Sequence, residues 1–457
     1  MSDPTPAAPS GHDASAAFAA LPPTERRRRV VAWALWDWAT QPFNTVIVTF
    51  VFTALYLTSD AFLEPDAAAL AADDPARDSA LATLSSGLGA WITVGGVLVA
   101  LLAPVLGRRA DVTGRRKAWL AGGTVVLVAA MFGLGFVRAD PAYFALGAAL
   151  VSLGSVAGEI AGVNYNAMLT QVSTRDTVGR VSGLGWGLGY VGGIVALVLV
   201  VVADGADFFG MDTSDGWGYR AIALGCGLWA VAFAWPLFRR VPEAPAADRP
   251  RVGFFAGYVE LWRDVVDLWR HARTTFWFLL ASAVYRDGLA GVFTFGAIVA
   301  AVSYGFDDTE VIVFGIAANL IAGVSTIVAG LFDDRLGPRT VILWSLAALV
   351  LCGTVIVALY PLGTGVFWVA GLALTAFVGP AQSASRSFLA RVTPAGRESE
   401  VFGLYATTGR AVSFLTPALW TAVIALTGAT LWGTLAIVAV LLAGLVLMLV
   451  VTDPAER

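Results

Sequence analysis

The chain has 457 residues, 58% of them apolar and only 14% charged, with a formal net charge of −4. Soluble domains carry about a quarter charged residues, so this composition excludes an ordinary soluble domain and points to a protein embedded in lipid. Two cysteines inside apolar runs, two isolated histidines and no G-x-x-x-x-G-K-[ST] run exclude a disulfide framework, a His/Cys metal cluster and a phosphate-loop ATPase.

In chain order, residues 1–29 are rich in Ala, Pro and Ser, end in Arg26–Arg29 and read as a disordered tail. The apolar run from Val30 to Leu57 is too long for a signal-peptide core and has no clear cleavage site, so it is the first span. An acidic loop follows, with Asp60, Glu64, Asp66, Asp73, Asp74 and Asp78 against Arg77. The length leaves room for about twelve spans of roughly 20–25 residues. After 30–57 they fall at 84–106, 118–137, 141–170, 181–203 and 219–238, then at 274–302, 311–332, 341–360, 366–390, 401–426 and 430–451. The expected organisation is a half over 30–238, a linker over 239–273, a second half over 274–451 and a short tail over 452–457. Within the linker Phe254, Tyr258, Leu261, Trp262, Val265 and Trp269 recur at helical spacing, with Arg263, Asp264, Asp267 and Arg270 on the other side. That pattern predicts a helix lying on the membrane surface.

The basic residues set the orientation. Arg26–Arg29, Arg108, Arg109, Arg115–Lys117, Arg175, Arg180, Arg239, Arg240, Arg249, Arg251, Arg335, Arg339, Arg391 and Arg397 fall in alternate loops, and Asp204, Asp207, Asp212, Asp215, Asp307, Asp308 and Glu310 in the others. Both termini are therefore expected in the cytoplasm of a cell whose cytoplasmic membrane the chain crosses. One short cationic hinge is repeated. Gly107, Asp111, Gly114 and Arg115 return 223 positions later as Gly330, Asp334, Gly337 and, one place further on, Arg339. The glycines permit close helix approach, and each aspartate can accept from backbone N–H groups at a helix start.

Ionisable groups inside the spans are the sharper functional signal, because each costs about 2.5–3.5 kcal/mol against lipid. Asp37, Glu159, Arg286, Asp287 and Arg410 lie at least two turns inside predicted spans. Asp37, Gln41 and Asn44 are at i, i+4 and i+7 on the first span, Glu159 and Asn166 are seven apart on the fourth, and Asp287 opens a similar stripe on the seventh. These residues are the candidate substrate or proton site. Arg286 and Asp287 can neutralise one another, Arg386 sits near a span end from which it can snorkel, and Arg410 needs a partner from another helix.

The span count, the central linker and the repeated G-x-x-x-D-x-x-G-[RK] hinge resemble the major facilitator superfamily. Its fold is all-α and integral to the membrane, with twelve transmembrane helices in two pseudo-symmetric six-helix halves. Trp33–Ala39 with its Trp36-Asp37-Trp38 core is similar to the opening helix of the vacuole-effluxer-like branch. So are Asn164–Ala167, Gly179–Trp186, Gln382–Ser387 and Phe402–Tyr405 to its later helices. The resemblance implies that each hinge latches its half against the other when the cytoplasmic side is closed. It also implies a secondary transporter of amino acids or similar zwitterions, proton-coupled and monomeric, working by alternating access. Such a protein needs no cofactor and no nucleic acid, and it performs no enzymatic step. A sugar or drug facilitator of the same fold and a non-transporting sensor are the alternatives. Drug antiport is disfavoured because Gly189 is followed by Tyr190 rather than Pro.

Overall fold

The computed structural model describes residues 11–71, 74–206, 214–243 and 253–452. Asp73 of the acidic loop and Asp207, Asp212, Arg249 and Arg251 of the orientation argument lie outside the described residues, as do 1–10 and 453–457. Helix α1 (Gly11–Ala19) precedes α2, which runs Pro23–Pro42 and continues as π-helical turns over Phe43–Phe50 and Phe52–Leu57. A single turn, α3 (Pro65–Ala68), leads to α4 (Pro75–Thr113), α5 (Arg116–Leu134), α6 (Phe144–Ala167), α7 (Val178–Gly205) and α8 (Trp217–Arg240). The linker carries α9 (Phe254–His271). The second half holds α10 (Arg273–Ile298), α11 (Asp308–Leu336), α12 (Pro338–Ala358), a turn α13 (Thr364–Val366) that runs on into α14 (Leu372–Val392), then α15 (Glu398–Val412), α16 (Leu415–Thr427) and α17 (Thr430–Val450). Among the described residues eleven helical segments are long and apolar enough to cross a membrane, α15 and α16 together forming one of them. Helix α2 with its π turns completes the expected twelve.

Three expectations are corrected. The tail is not disordered throughout to residue 29: α1 is helical, its Phe18 is buried in a cluster with Trp33, Leu169 and Val172, and the Ser15 hydroxyl donates to the Ser173 carbonyl at 3.2 Å. Arg26–Arg29 already belong to α2. The hinge is not a loop either. Gly107–Thr113 are the last turns of α4, and the chain breaks only at Gly114, where φ is 63°. The second copy likewise ends α11 and breaks at Gly337, where φ is 82°. The left-handed region fits glycine because a Cβ there is strained, so Gly114 and Gly337 are helix stops. Finally, the eleventh span is broken at Ser413–Phe414 between α15 and α16.

The π turns of α2 begin at a proline. Pro42 brings no N–H to the ladder, and the Trp38 carbonyl it leaves free accepts instead from the Trp229 indole N–H at 3.0 Å; beyond it the winding loosens to π turns. Thr49, Thr53 and Thr58 each donate a hydroxyl to the carbonyl five residues back, at 2.8, 2.6 and 3.1 Å. Elsewhere the outer surface is apolar, with Val94, Leu101, Val125, Leu228, Leu351 and Val446 all exposed, as suits a protein whose solvent is lipid. Both cysteines are free thiols.

The two halves meet mainly through α4 against α15 and α7 against α11. Their backbones come close because glycines line both seams. A Cβ added at Gly107 would lie 2.2 Å from the Ser399 carbonyl oxygen, and one at Gly403 would lie 2.6 Å from Pro104 Cα. On the other seam a Cβ at Gly183 would lie 2.7 Å from the Thr326 oxygen, and one at Gly330 would lie 2.7 Å from the Gly179 oxygen.

Candidate functional site

The repeated aspartates do the same thing in mirror-related places. Asp111 accepts from the backbone N–H groups of Ser399 at 3.1 Å and Glu400 at 2.9 Å, so a first-half carboxylate caps α15 of the second half. Asp334 accepts from the backbone N–H groups of Gly179 at 2.7 Å and Arg180 at 3.1 Å, capping α7 of the first half from the second. Both caps also neutralise the positive end of a helix dipole. Arg116 bridges Asp111, at 2.6 Å, to Glu398. Asp333, beside Asp334, takes Arg391 at 3.0 Å and the Ser387 hydroxyl. Arg115 is exposed, and its neighbour Arg116 makes the contact expected of it. Arg339 donates to the Val451 carbonyl at 2.6 Å and ties down the end of α17.

Deeper in the seam lies a buried ion pair. Asp37 on α2 accepts from Arg386 Nη1 on α14 at 3.2 Å and from the Tyr165 hydroxyl on α6 at 2.9 Å. Arg386 is almost fully buried and spends its other donors on Asn166 Oδ1 at 3.1 Å, the Ser182 hydroxyl at 3.0 Å and the Ser182 carbonyl at 2.6 Å. The guanidinium carbon also lies 5.0 Å from the Trp33 ring centroid and 5.6 Å from those of Tyr165 and Trp186. Trp33 stacks on Tyr165 at 4.4 Å and fixes that face of the cage. Gly185 leaves room for the pair, since a Cβ there would come within 2.8 Å of Arg386 Nη2 and 2.9 Å of Asp37 Oδ2 and would push both aside.

A second cross-half pair sits one level away. Arg410 on α15 donates to Glu159 on α6 at 2.6 Å, and the two side chains are 38% and 43% exposed. Glu159 and Asn166 are seven residues apart on one face of α6, so the two pairs are stacked about 10 Å apart along that helix. Arg410 lies in the last turn of α15, just before the helix break. Further hydrogen bonds join the halves, Tyr190 to Gln382 at 2.7 Å and Thr407 to the Ala100 carbonyl at 2.9 Å.

A family model described as "Vacuole effluxer Atg22 like" matches residues 25–455. The chain belongs to this family. A relative, the uncharacterized MFS-type transporter YxiO of Bacillus subtilis (strain 168), is 24% identical over 430 residues, covering 92% of this chain and 94% of its own. Among solved structures, the proton:xylose symporter XylE is similar with a TM-score of 0.69 at 13% identity, covering 94% and 95% of the two chains. The human organic anion transporter MFSD10 gives 0.68 at 15%, covering 94% and 100%. The E. coli fucose:proton symporter FucP gives 0.69 at 12%, covering 94% and 99%. The fold is therefore the major facilitator fold, and this vacuole-effluxer-like chain is a membrane protein of MFS-transporter type rather than an enzyme.

Within that fold the sequence-predicted residues separate. Asp37 and Asn166 meet at Arg386, while Glu159 meets Arg410. Gln41 turns to Thr45 on its own helix at 3.5 Å, and Asn44 is exposed, so the stripe on α2 does not converge on one point. Arg286 and Asp287 do not neutralise one another, because adjacent helical positions point in different directions. Arg286 stacks 3.8 Å from the Tyr405 ring centroid and donates to the Tyr405 carbonyl at 2.8 Å. Asp287 accepts from both the backbone N–H and the hydroxyl of Thr416, each at 2.6 Å, and so caps α16 where the eleventh span restarts. Its geometry is that of a structural cap. Asp287→Ala is expected to cost about 1–2 kcal/mol of stability, read as a lower melting temperature in nanodiscs; an unchanged melt would count against the capping role. Arg386, expected to snorkel, is instead the hub of the buried cluster, and Tyr165 and Ser182 complete it.

Among the described residues no group of His, Cys, Asp and Glu could hold a metal ion. Outside the spans, Asp267 on α9 is held below the usual carboxylate range chiefly by its hydrogen bond to His271, at 2.7 Å, with Arg397 adding to the effect. A lowered carboxylate pKa contributes stability above its unfolded value and loses it as pH falls through the folded one. The α9 contacts of Asp267 thus weaken only in acid.

Proposed function

We propose that this protein is a secondary active transporter that carries a small zwitterion, best an amino acid, across the cytoplasmic membrane by alternating access, with a proton as coupling ion. The observation that carries this reading is the half-exposed Glu159–Arg410 pair, which joins the halves beside the broken eleventh span. Broken helices at the midplane between repeats are where carriers of this kind bind solute. A zwitterion can divide the pair: its carboxylate takes Arg410 in the bidentate geometry guanidinium favours, and its ammonium takes Glu159. The halves then stay neutralised at that level while they rock. The Asp37–Arg386 cluster, one level closer to the hinge end, is the inner gate and the proton-sensitive element. The capped hinges at Asp111 and Asp334 are the outer latches of the same gate, on the cytoplasmic side by the distribution of basic residues. Gly107 and Gly330 let each seam close, and Gly114 and Gly337 end the helices that carry the caps. The protein works as a monomer.

The test is counterflow of labelled amino acids into vesicles holding the purified protein, with sugars and organic acids as parallel substrates. Glu159→Gln is expected to lower amino-acid flux by about tenfold to a hundredfold, the loss of one hydrogen bond to a charged group. Its melting temperature should hardly move, because an ion pair this exposed contributes only about 0–1 kcal/mol. Flux of a sugar with no amino-acid flux would replace the substrate assignment, and undiminished flux in Glu159→Gln would remove the site.

A further inference from the structure

Helix α9 stands apart from both bundles yet touches each of them. Glu260, Asp264, Asp267 and His271 fall at i, i+4, i+7 and i+11, one edge of the helix. Asp264 on that edge is buried and takes Arg108 of α4 at 3.1 Å through one oxygen and Arg397, just before α15, at 3.6 Å through the other. Arg397 also donates to the Asp264 carbonyl at 3.2 Å and pairs with Asp267 at 3.0 Å. One basic group comes from each half, and each lies beside the Asp111 latch: Arg108 is on the same helix end, and Arg397 immediately precedes the capped residues.

The opposite edge is apolar and open. Val259, Trp262 and Trp269 are 56%, 69% and 43% exposed and share a face, while Asp264 lies about 200° round from Trp262. Two observations say what covers that face. First, α9 crosses α4 at its lipid-facing depth: Tyr258 donates to the Leu101 carbonyl at 3.2 Å, and Gly257 is close-packed on Val105, some 12 Å in from the end of α4. Leu98 and Leu101 beside it are exposed with the rest of the lipid-facing surface. Second, the face runs on into the aromatic start of α10, where Trp269 packs on Phe276 and Trp277 at 4.9 and 5.7 Å with Arg273 over its ring at 5.8 Å. Aromatic rings with flanking cations are the chemistry of the headgroup boundary.

We propose that α9 is a bilayer-seated clamp on the gate: the lipid surface holds its Val259–Trp262–Trp269 face, and its acidic edge ties Arg108 of one half to Arg397 of the other. Opening the latch side separates those two arginines, so Asp264 must release at least one of them, and seating of α9 opposes that release. The clamp rests on the gate reading above. Its test reads gate closure rather than transport, so a missing substrate and a missing clamp give different results.

The background is the full chain with Cys226→Ser and Cys352→Ser in nanodiscs of phosphatidylcholine and phosphatidylglycerol. Nitroxides on Val259→Cys and Trp262→Cys should collide more with oxygen than with a nickel chelate, and one on Arg263→Cys should show the reverse. Ser399→Cys, fully buried under Gly107, reports the gate through its rate of thiol labelling. Asp264→Asn should raise that rate by about tenfold, as for a lost hydrogen bond to a charged group. The pair Val259→Ser with Trp262→Ser, both on exposed positions that leave the fold intact, should raise it severalfold in nanodiscs and leave it unchanged in detergent. Nickel exceeding oxygen at 259 and 262, a spin–spin broadening that marks a second copy there, or a labelling rate indifferent to the serine pair would each overturn the proposal.

Discussion

Asp37→Asn is expected to reduce transport about a hundredfold or more and to lower the melting temperature clearly. The substitution keeps the shape of the side chain and removes its charge. Arg386, 3% exposed, then keeps its bonds to Ser182 and Asn166 but has no counter-ion in the cage. Removing one member of a buried pair costs about 3–5 kcal/mol, because a charge is stranded away from water. On the gate reading proposed above the pair is assembled only in the closed state, so most of that cost falls on closure of the gate, and about 2.7 kcal/mol is already a hundredfold in an equilibrium. Combining Asp37→Asn with Arg386→Met should recover much of the melting temperature, since no buried charge remains, but should not recover transport. A double-mutant cycle on melting and on flux separates the two roles. If the single variant transports normally, the cluster is scaffolding and the inner gate lies elsewhere.

Gly107→Ala should be the more damaging of the small changes. The added methyl would stand 2.2 Å from a backbone oxygen of Ser399 and 2.7 Å from its carbonyl carbon. Neither atom can rotate away, so α4 and α15 must part, and Asp111 then loses its reach to the N–H groups of Ser399 and Glu400. Overpacking of this kind costs about 1–3 kcal/mol, and the lost cap adds about 1 kcal/mol. The expected result is a gate that cannot close: a Ser399→Cys reporter labels rapidly and transport collapses while the protein still inserts. The control lies on the same helix. Gly89 and Gly96 have nothing within 4 Å of an added Cβ, so Gly96→Ala should transport normally. Equal behaviour of the two alanine variants would sink the close-approach argument.

How much of this was legible beforehand differs from residue to residue. The hinge aspartates were readable because duplication prints the same spacing twice, and a capping role needs only a carboxylate near a helix start. That each aspartate caps a helix of the other half was not readable from spacing, since it depends on where α7 and α15 arrive in space. Arg410 was rightly expected to find a partner off its own helix. Arg386 was misjudged for a physical reason: depth along a helix can be counted from sequence, but the direction a residue faces cannot when α14 is apolar or small on several sides. Ser383, three residues before Arg386 on α14, and Tyr165 on α6 were the available signal for an inward face. Asp287 was taken for a site residue because a buried acid is costly wherever it lies. Its true partner exists only because the eleventh span is interrupted, and the residues around Ser413 carry no strong break signal apart from Pro417. Likewise Pro42 announced a disturbance in α2, whereas the π winding that follows, with three threonine hydroxyls reaching back five residues, was not readable from it.

The glycine-lined seams have a consequence for how the molecule moves. Where main chain rests on main chain, there are no long side chains to bend, tilt or swap rotamers as contact is made. Such a joint has little compliance: a gap of about 0.5–1 Å already forfeits a quarter to a half of its attraction. The halves should therefore snap between a fully docked and a fully parted arrangement, with little time spent ajar, which is what a carrier needs to keep from becoming a leak.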